Sequence, residues 1–396
     1  MLQLPLYLDY NATTPCDPRV VEAMTPYFTT VFGNAASHNH SFGWQAEEAV
    51  NFSREQVAKL IGADPKEIIF TSGATEAINL ALKGVFETYA AKGNHIITCN
   101  IEHKAVLDTC KHLEKKGAEI TYLKVNENGL PDLSELEAAI KPTTILIAFM
   151  YANNETGTIL PMKEISAIAK KRNIIFFSDA TQAVGKIGVD VNKDGIDLMA
   201  FSAHKIYGPK GVGALYIRRK NPRVKITAQI DGGGHEKGIR SGTLNVPGIV
   251  GFGKACEICM NEMQEESAGR RIKKLRDKLE DAFLQTGEVY INGDKDHRLP
   301  NVTNISFNNA EGDALIRSIS KNIAVSSGAA CTSATPEPSH VLKALGLTDD
   351  RAHSSIRFSL GRFTTEEEID YTIKEVKDKL EELKRSPIQN LEEFRS

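Results

Sequence analysis

Five stretches carry residues able to do chemistry, and each follows an apolar run. The run at 68–71 leads into Ser72-Gly73-Ala74-Thr75-Glu76, and the run at 95–98 into Asn100-Ile101-Glu102-His103. Residues 145–150 lead into Tyr151-Ala152-Asn153-Asn154, 174–177 into Ser178-Asp179-Ala180-Thr181-Gln182, and 197–201 into Ser202-Ala203-His204-Lys205. Together they offer an amine, a carboxylate, imidazoles, amides and hydroxyls, enough to hold a polar ligand and move protons on it. Lys205 is the reactive member. A free lysine, with a pKa of about 10.4, is protonated at neutral pH and needs a depressed pKa or a carbonyl partner before it reacts. Ser-x-His-Lys on its own is more simply a surface turn with a solvated lysine, and only the recurrence of Thr75, His103, Asn154, Asp179 with Gln182, and Lys205 at successive strand ends argues otherwise.

The apolar runs must be the elements that position these groups. A continuous run such as Ile145-Leu146-Ile147-Ala148-Phe149-Met150 is the pattern of a strand covered on both faces. Helices are expected at 18–28, at 43–61, after Thr75, and around Lys111, Leu136 and Ile168. The alternation predicts an α/β fold with a largely parallel sheet between helices, in which a ligand lies beyond the C-terminal strand ends. Past 248 the pattern becomes a long helical region reaching 285, and the run Arg270-Arg271-Ile272-Lys273-Lys274 in it reads as a solvated face. A smaller α+β unit follows, ending in a helix at 366–383, and the boundary falls near 264. Asp9-Tyr10-Asn11-Ala12-Thr13-Thr14-Pro15 is polar and turn-rich, a loop that could enter a site.

The chain has 396 residues, 41% of them apolar and 25% charged, so it can bury a large core and suits two domains better than one. A net charge of -3 gives no nucleic-acid footprint. No apolar stretch nears the roughly 20 residues that cross a bilayer, and the start lacks a basic region before an apolar one, so a cytoplasmic protein with no membrane partner is expected. The six cysteines are scattered, unlike a secreted disulfide framework. Cys256 and Cys259 lie in a helical pattern with no second ligand pair nearby, which favours packing over metal binding.

An aspartate ending an apolar strand, a lysine roughly 25 residues later and a hydroxyl-rich helix start suit pyridoxal 5'-phosphate. The lysine condenses with its aldehyde, the aspartate pairs with the pyridinium nitrogen, and the helix start takes the phosphate. That same start would also serve as an ordinary N-cap. Segments 71–76, 178–182 and 201–205 resemble the class V aminotransferase family of fold-type I pyridoxal-phosphate enzymes. The resemblance implies a large domain at 16–264 with a mostly parallel seven-stranded sheet, and a smaller domain made of 1–15 and 265–396. It implies that Lys205 carries the cofactor, Asp179 meets the ring nitrogen, Gln182 bonds the ring hydroxyl oxygen, and His103 stacks on the ring and moves protons. Asn154 would lie beside cofactor and substrate, Ala74 would contact the cofactor, and Thr75, Ser202 and His204 would hold the phosphate. It further implies a homodimer in which Arg240-Ser241-Gly242-Thr243 reaches across, so that Thr243 completes the partner's phosphate site; the glycine-rich run at 231–235 before it also suits an ordinary loop.

Within the smaller unit, 324–340 reads as a long mobile loop of small residues carrying Cys331. An exposed thiol, a few per cent ionised at pH 7 with a pKa of about 8.5, is a strong nucleophile. Ser326-Ser327-Gly328-Ala329-Ala330-Cys331-Thr332-Ser333 resembles the loop of the IscS/NifS group of cysteine desulfurases, with Ala329 where serine is usual, and the likeness runs from 8–14 to 359–364. This resemblance implies conversion of L-cysteine to L-alanine with a persulfide on Cys331, and Arg357 clamping the substrate carboxylate. An internal salt bridge is the plainer use of Arg357. Sulfur would pass to an iron-sulfur scaffold protein of the IscU/NifU kind or to other acceptors, including those of tRNA thiolation. Rival readings are a class V aminotransferase, a selenocysteine lyase, or a sulfur-relay subunit without cofactor. The tail from 387 reads as mobile or as a docking surface.

Overall fold

The computed structural model describes residues 2–265, 267–287, 289–308, 312–327 and 337–392, with backbone alone at 267, 268, 312, 313 and 384–392. Cys331 and the centre of its predicted loop, and the last four residues of the tail, lie outside the described residues. Strand β1 (Leu6–Tyr7) precedes the main sheet, which is built from β2 (Ile68–Thr71), β3 (His95–Cys99), β4 (Glu119–Leu123), β5 (Thr144–Ala148), β6 (Ile175–Asp179), β7 (Leu198–Ser202) and β8 (Gly213–Ile217). Its spatial order is β2-β8-β7-β6-β5-β3-β4. Strands β3 to β7 pair in parallel, whereas β8 runs antiparallel to both β7 and β2. Two reversals restore the direction, so β2 points with the others. All the predicted strand ends therefore open on one edge of the sheet.

Helices α1 (Pro18–Met24), α2 (Pro26–Thr29), α3 (Ser41–Leu60), α4 (Ala74–Thr88), α5 (Lys104–Glu114), α6 (Leu133–Ala139), α7 (Met162–Lys171) and α8 (Val246–Gln264) flank these strands. Alternate strand residues feed opposite cores. Phe70, Ile97, Phe176 and Phe201 pack with Val50 and Val57 of α3 and Phe252 of α8, while Ile69, Ile96, Phe177 and Ala200 pack with Ile78 and Leu82 of α4 and Val106 of α5. This two-sided burial is why the runs are apolar throughout; the edge strand β4, by contrast, is partly exposed. The expected helix at 18–28 is two, because Pro26 has no N–H to continue the ladder.

Helix α9 (Ser267–Leu284) follows α8 and leads into β9 (Val289–Ile291), β10 (Val302–Phe307), β11 (Ile323–Ala324), β12 (Ser326–Ser327) and β13 (Ser355–Ser359). Four of these form an antiparallel sheet in the order β12-β13-β10-β9. Strand β1 pairs in parallel with β11, Leu6 opposite Ile323, and Leu8 joins the core of Ile305, Ile356, Phe358, Leu279 and Phe283. The last helix runs Glu366–Glu392, past the predicted end at 383. The first residues of the chain thus pack on its last third, and from there Asp9 to Thr14 pass along the sheet edge where the strand ends open.

Candidate active site

At that edge lies a cavity of about 690 Å³, of the size that holds a small cofactor. Lys205, Asp179, Gln182, His103 and Asn154 line it, as do Ala74, Thr75, Ser202, His204 and Arg357. Cys256 and Cys259 do not: they are buried in α8, and burial pushes both thiols up.

Lys205 ends the short 3-10 turn Ala203–Lys205 after β7, and its Nζ lies 2.5 Å from the Asn11 carbonyl oxygen and 2.7 Å from that of Ala12. Burial, with the positive charge of Arg357 adding to it, lowers this amine to about 8, against the pull of Asp179 and Asp9. Asp179 is the last residue of β6, and its Oδ1 accepts the Thr181 N–H at 3.0 Å. Gln182 follows in the same turn and donates from Nε2 to the Asn11 carbonyl at 3.0 Å.

The opposite end of the cavity suits an anion. Helix α4 begins after Gly73 with no side-chain cap, which leaves first-turn N–H groups without a helical partner and the positive end of the helix dipole facing the cavity. Glu76 takes the Ser72 N–H at 2.8 Å and is itself held by Arg240, Nε to Oε1 at 2.7 Å, so the turn is braced from behind. Ser202 stands beside Gly73, its Oγ 3.8 Å from where a Cβ on that glycine would lie. His204 shares a hydrogen bond with Thr13 Oγ1 at 3.0 Å, and burial, then Lys205 and Lys210, hold it down to about 4, so the ring is neutral. An amine, a carboxylate and an uncapped helix start around one cavity are the donor set that pyridoxal phosphate requires, and the residues present fit it.

His103 caps α5 by accepting the Ala105 N–H on Nδ1 at 3.1 Å. In its neutral form the ring therefore carries its proton on Nε2. Arg357, on β13, pairs with Asp9 at 2.6 Å and donates to Ser326 Oγ and the Asn154 carbonyl at 2.9 and 3.0 Å. The plainer salt-bridge use is thus present, yet Arg357 also faces the cavity and its buried Nε has no partner. Thr243 is exposed and does not line this chain's own cavity.

Three residues at the site carried no role in the sequence reading. Asn11, 1% exposed, uses its N–H, carbonyl and both side-chain atoms in hydrogen bonds to Ser359, Lys205, Gln182, Lys186, Asn301 and Asn154. Glu102, beside His103, is fully buried; its Oε1 accepts from the Met150 N–H at 2.6 Å and from the Cys99 thiol at 3.2 Å, while Oε2 has no partner. Burial is the main reason its carboxyl rises to about 8, with Asp179 adding to the rise. Lys186 is the third, bonded to Gln182 and Asn11. A polar residue in a strand-end loop was the available signal for each, but nothing in the sequence brings Asn11 to Lys205.

Fold and site define a pyridoxal-phosphate enzyme of fold type I. The chain belongs to the class-V aminotransferase family, whose model matches residues 6–372. It is 57% identical over 385 residues to the cysteine desulfurase IscS of Klebsiella pneumoniae (strain 342), covering 97% of this chain and 94% of that protein. To the cysteine desulfurase IscS of Salmonella typhi it is 58% identical over 374 residues, covering 94% and 92%. Among solved structures, a NifS-like protein superposes with a TM-score of 0.89 at 42% identity, covering 96% of this chain and all of that one. SspA in complex with cysteine superposes with a TM-score of 0.80 at 36% identity, covering 91% and 100%.

Proposed function

We propose that the protein is a cysteine desulfurase that converts L-cysteine to L-alanine and leaves the sulfur as a persulfide on Cys331. The observation that carries this beyond the family is where the two flanks of the Cys331 segment are tied. On one side Ser326 bonds Asp9 Oδ1 at 2.9 Å and Arg357, and on the other His340 Nε2 lies 3.0 Å from the Glu102 carbonyl, next to His103. Arg357 on one side, and His103, the neighbour of Glu102, on the other, line the cavity that Lys205 lines. Cys331 is four residues from Ser327, a covalent reach of up to roughly 14 Å. A thiol so tethered is expected of a desulfurase and has no use in an aminotransferase.

Pyridoxal phosphate, held by Lys205, Asp179, Gln182 and the start of α4 with Ser202 and His204, supplies the electron sink that acidifies the substrate Cα–H and makes its sulfur electrophilic. Arg357 binds the substrate carboxylate, and Asn154 lines the same side. The Lys205 amine, with its pKa already lowered, accepts the Cα proton at Nζ. His103 holds a proton on Nε2 and gives it up to the reacting groups. The Cys331 thiolate attacks the substrate sulfur; the S–S bond forms as the C–S bond breaks and its electron pair stays with the substrate, Cβ takes up one proton, and Lys205 Nζ returns a proton to Cα to complete alanine. The sulfur then passes to an iron-sulfur scaffold protein or another acceptor, the acceptors of tRNA thiolation included.

The active unit is a homodimer in which Thr243 completes the partner's phosphate site. Phe28, Phe32, Phe42, Trp44 and Phe52 on and around α2 and α3 are exposed, and large apolar side chains of this kind are what a second copy would cover. Residues 16–264 act as the cofactor domain, with 1–15 and 265–396 as the smaller domain. The protein works in the cytoplasm; among the described residues no helix is long and apolar enough to cross a membrane. The test is Cys331→Ala with L-cysteine and a reductant. The variant keeps the yellow cofactor and releases no sulfide; release at the wild-type rate would remove Cys331 from the mechanism.

A further inference from the structure

Four residues after Gln182, Lys186 places its Nζ 2.7 Å from Gln182 Oε1 and 3.0 Å from Asn11 Oδ1. An ammonium has donors and no acceptor, so both amides must turn their oxygens toward it. The NH2 of Gln182 is then on the other side, where one N–H meets the Asn11 carbonyl at 3.0 Å and the second is left for the cavity that Gln182 lines. The reversed amide would set its oxygen against the Asn11 carbonyl and its NH2 against Lys186, two clashes in place of two bonds. Asn11 is fixed in the same way: Oδ1 also accepts from Asn301 Nδ2 at 3.0 Å, so Nδ2 is the atom that donates to the Asn154 carbonyl at 3.1 Å.

The Asn11 carbonyl that takes Gln182 Nε2 also takes Lys205 Nζ at 2.5 Å. One buried asparagine therefore stands between the two lysines. Both lysines also line a second cavity of about 450 Å³, bordered by Tyr207, Asn301 and Arg362.

We propose that Lys186 is a positioning residue for the cofactor reaction, locking the Gln182 amide with its N–H toward the pocket and setting a second cation beside Lys205. This rests on the reading of Lys205 as the cofactor lysine. Burial, then the charges of Lys205 and Arg357, hold the Lys186 amine well below its ordinary value, the sign expected of neighbouring cations. Other charged and titratable groups around the pair are Asp179 at the end of β6, Asp9 on the N-terminal segment and His204 beside Lys205, with His103, Glu76 and Lys210 in the first cavity and Tyr10, Tyr207, Glu262, Glu265, Arg271 and Arg362 in the second. While it is protonated, Lys186 disfavours a proton on Lys205 Nζ, as Lys205 disfavours one on Lys186. The N–H it directs from Gln182 favours the ionised ring oxygen of the cofactor, which acts in the same sense.

The test uses the cofactor-loaded protein without substrate and follows the pH midpoint of its visible absorbance change, with thermal melting alongside. Lys186→Met is expected to raise that midpoint by about one pH unit or more. Lys186→Arg, which keeps charge and donors, is expected to hold it at or below the wild-type value. Should the methionine variant fail to fold, Lys186→Gln removes the charge while keeping a donor, and is expected to shift the midpoint upward as well. A neutral variant that folds and titrates at the wild-type midpoint overturns the proposal. If the wild-type protein shows no visible band with added pyridoxal phosphate, the reading of Lys205 falls, and this proposal with it. Neither result depends on whether alanine and persulfide are the products.

Discussion

Glu102 is a carboxyl that the fold keeps protonated. Its carboxyl is raised from 4.5 to about 8, so from about pH 5 to 8 the folded state holds a proton that the unfolded chain has lost. Stability then falls as pH rises through that window, by up to about 1.4 kcal/mol per pH unit, and levels off above it. In Glu102→Gln this part of the slope disappears, so thermal melting between pH 5 and 8 should be flatter than in wild type. An equal slope in the variant would mean that Glu102 is ionised in the folded protein. Two nearby carboxyls do not ionise together easily, and Asp179 adds to the rise at Glu102. At this scale the sequence was partly legible. Residue types at strand ends identified Lys205, Asp179, Gln182 and His103 as a group, and all line the cavity. It could not reveal that Arg357 meets Asp9, 348 positions away, or that Asn11 joins Lys205 to Lys186. Those pairings depend on tertiary placement, which no local pattern encodes.

In the proposed reading, the element that decides cofactor retention is the start of α4. In that reading its N–H groups and the Ser202 hydroxyl, which otherwise donates to the Val212 carbonyl at 3.4 Å, bind the phosphate, and hydrogen bonds to charged groups are worth about 1.5–3 kcal/mol each. Ser202→Ala should therefore weaken pyridoxal phosphate binding to the apo-protein by roughly 10-fold or more while leaving the fold intact, as fluorescence titration with far-UV circular dichroism would show. Unchanged affinity would place the phosphate elsewhere. The sheet was legible because burial on both faces imposes unbroken apolar runs, as in β5 and β6. The reversal of β8 was not, since an apolar run carries no mark of direction. The break at Pro26 did have a signal, the proline itself, and the longer periodic pattern concealed it.

For the whole molecule, the reading requires two chains, because Thr243 is outside its own chain's cavity. Lys205→Ala and Thr243→Ala subunits, each weak or inactive alone, should complement when mixed and allowed to exchange. A mixed dimer has one site with both residues intact, so sulfide release should recover to as much as about a quarter of wild type. No recovery after verified exchange would count against a shared site. The exposed aromatic face around α3 was legible only as scattered residues, and folding gathers Phe32 and Phe42 to a ring separation of 5.3 Å.

The central claim is that substrate sulfur moves onto Cys331. Incubating the cofactor-loaded protein with L-cysteine in the absence of reductant, alkylating, and weighing the peptide that contains Cys331 tests it most directly. The account predicts that this peptide gains the mass of one sulfur atom, in step with the alanine formed. Alanine accumulating while the Cys331 peptide stays unchanged would contradict it.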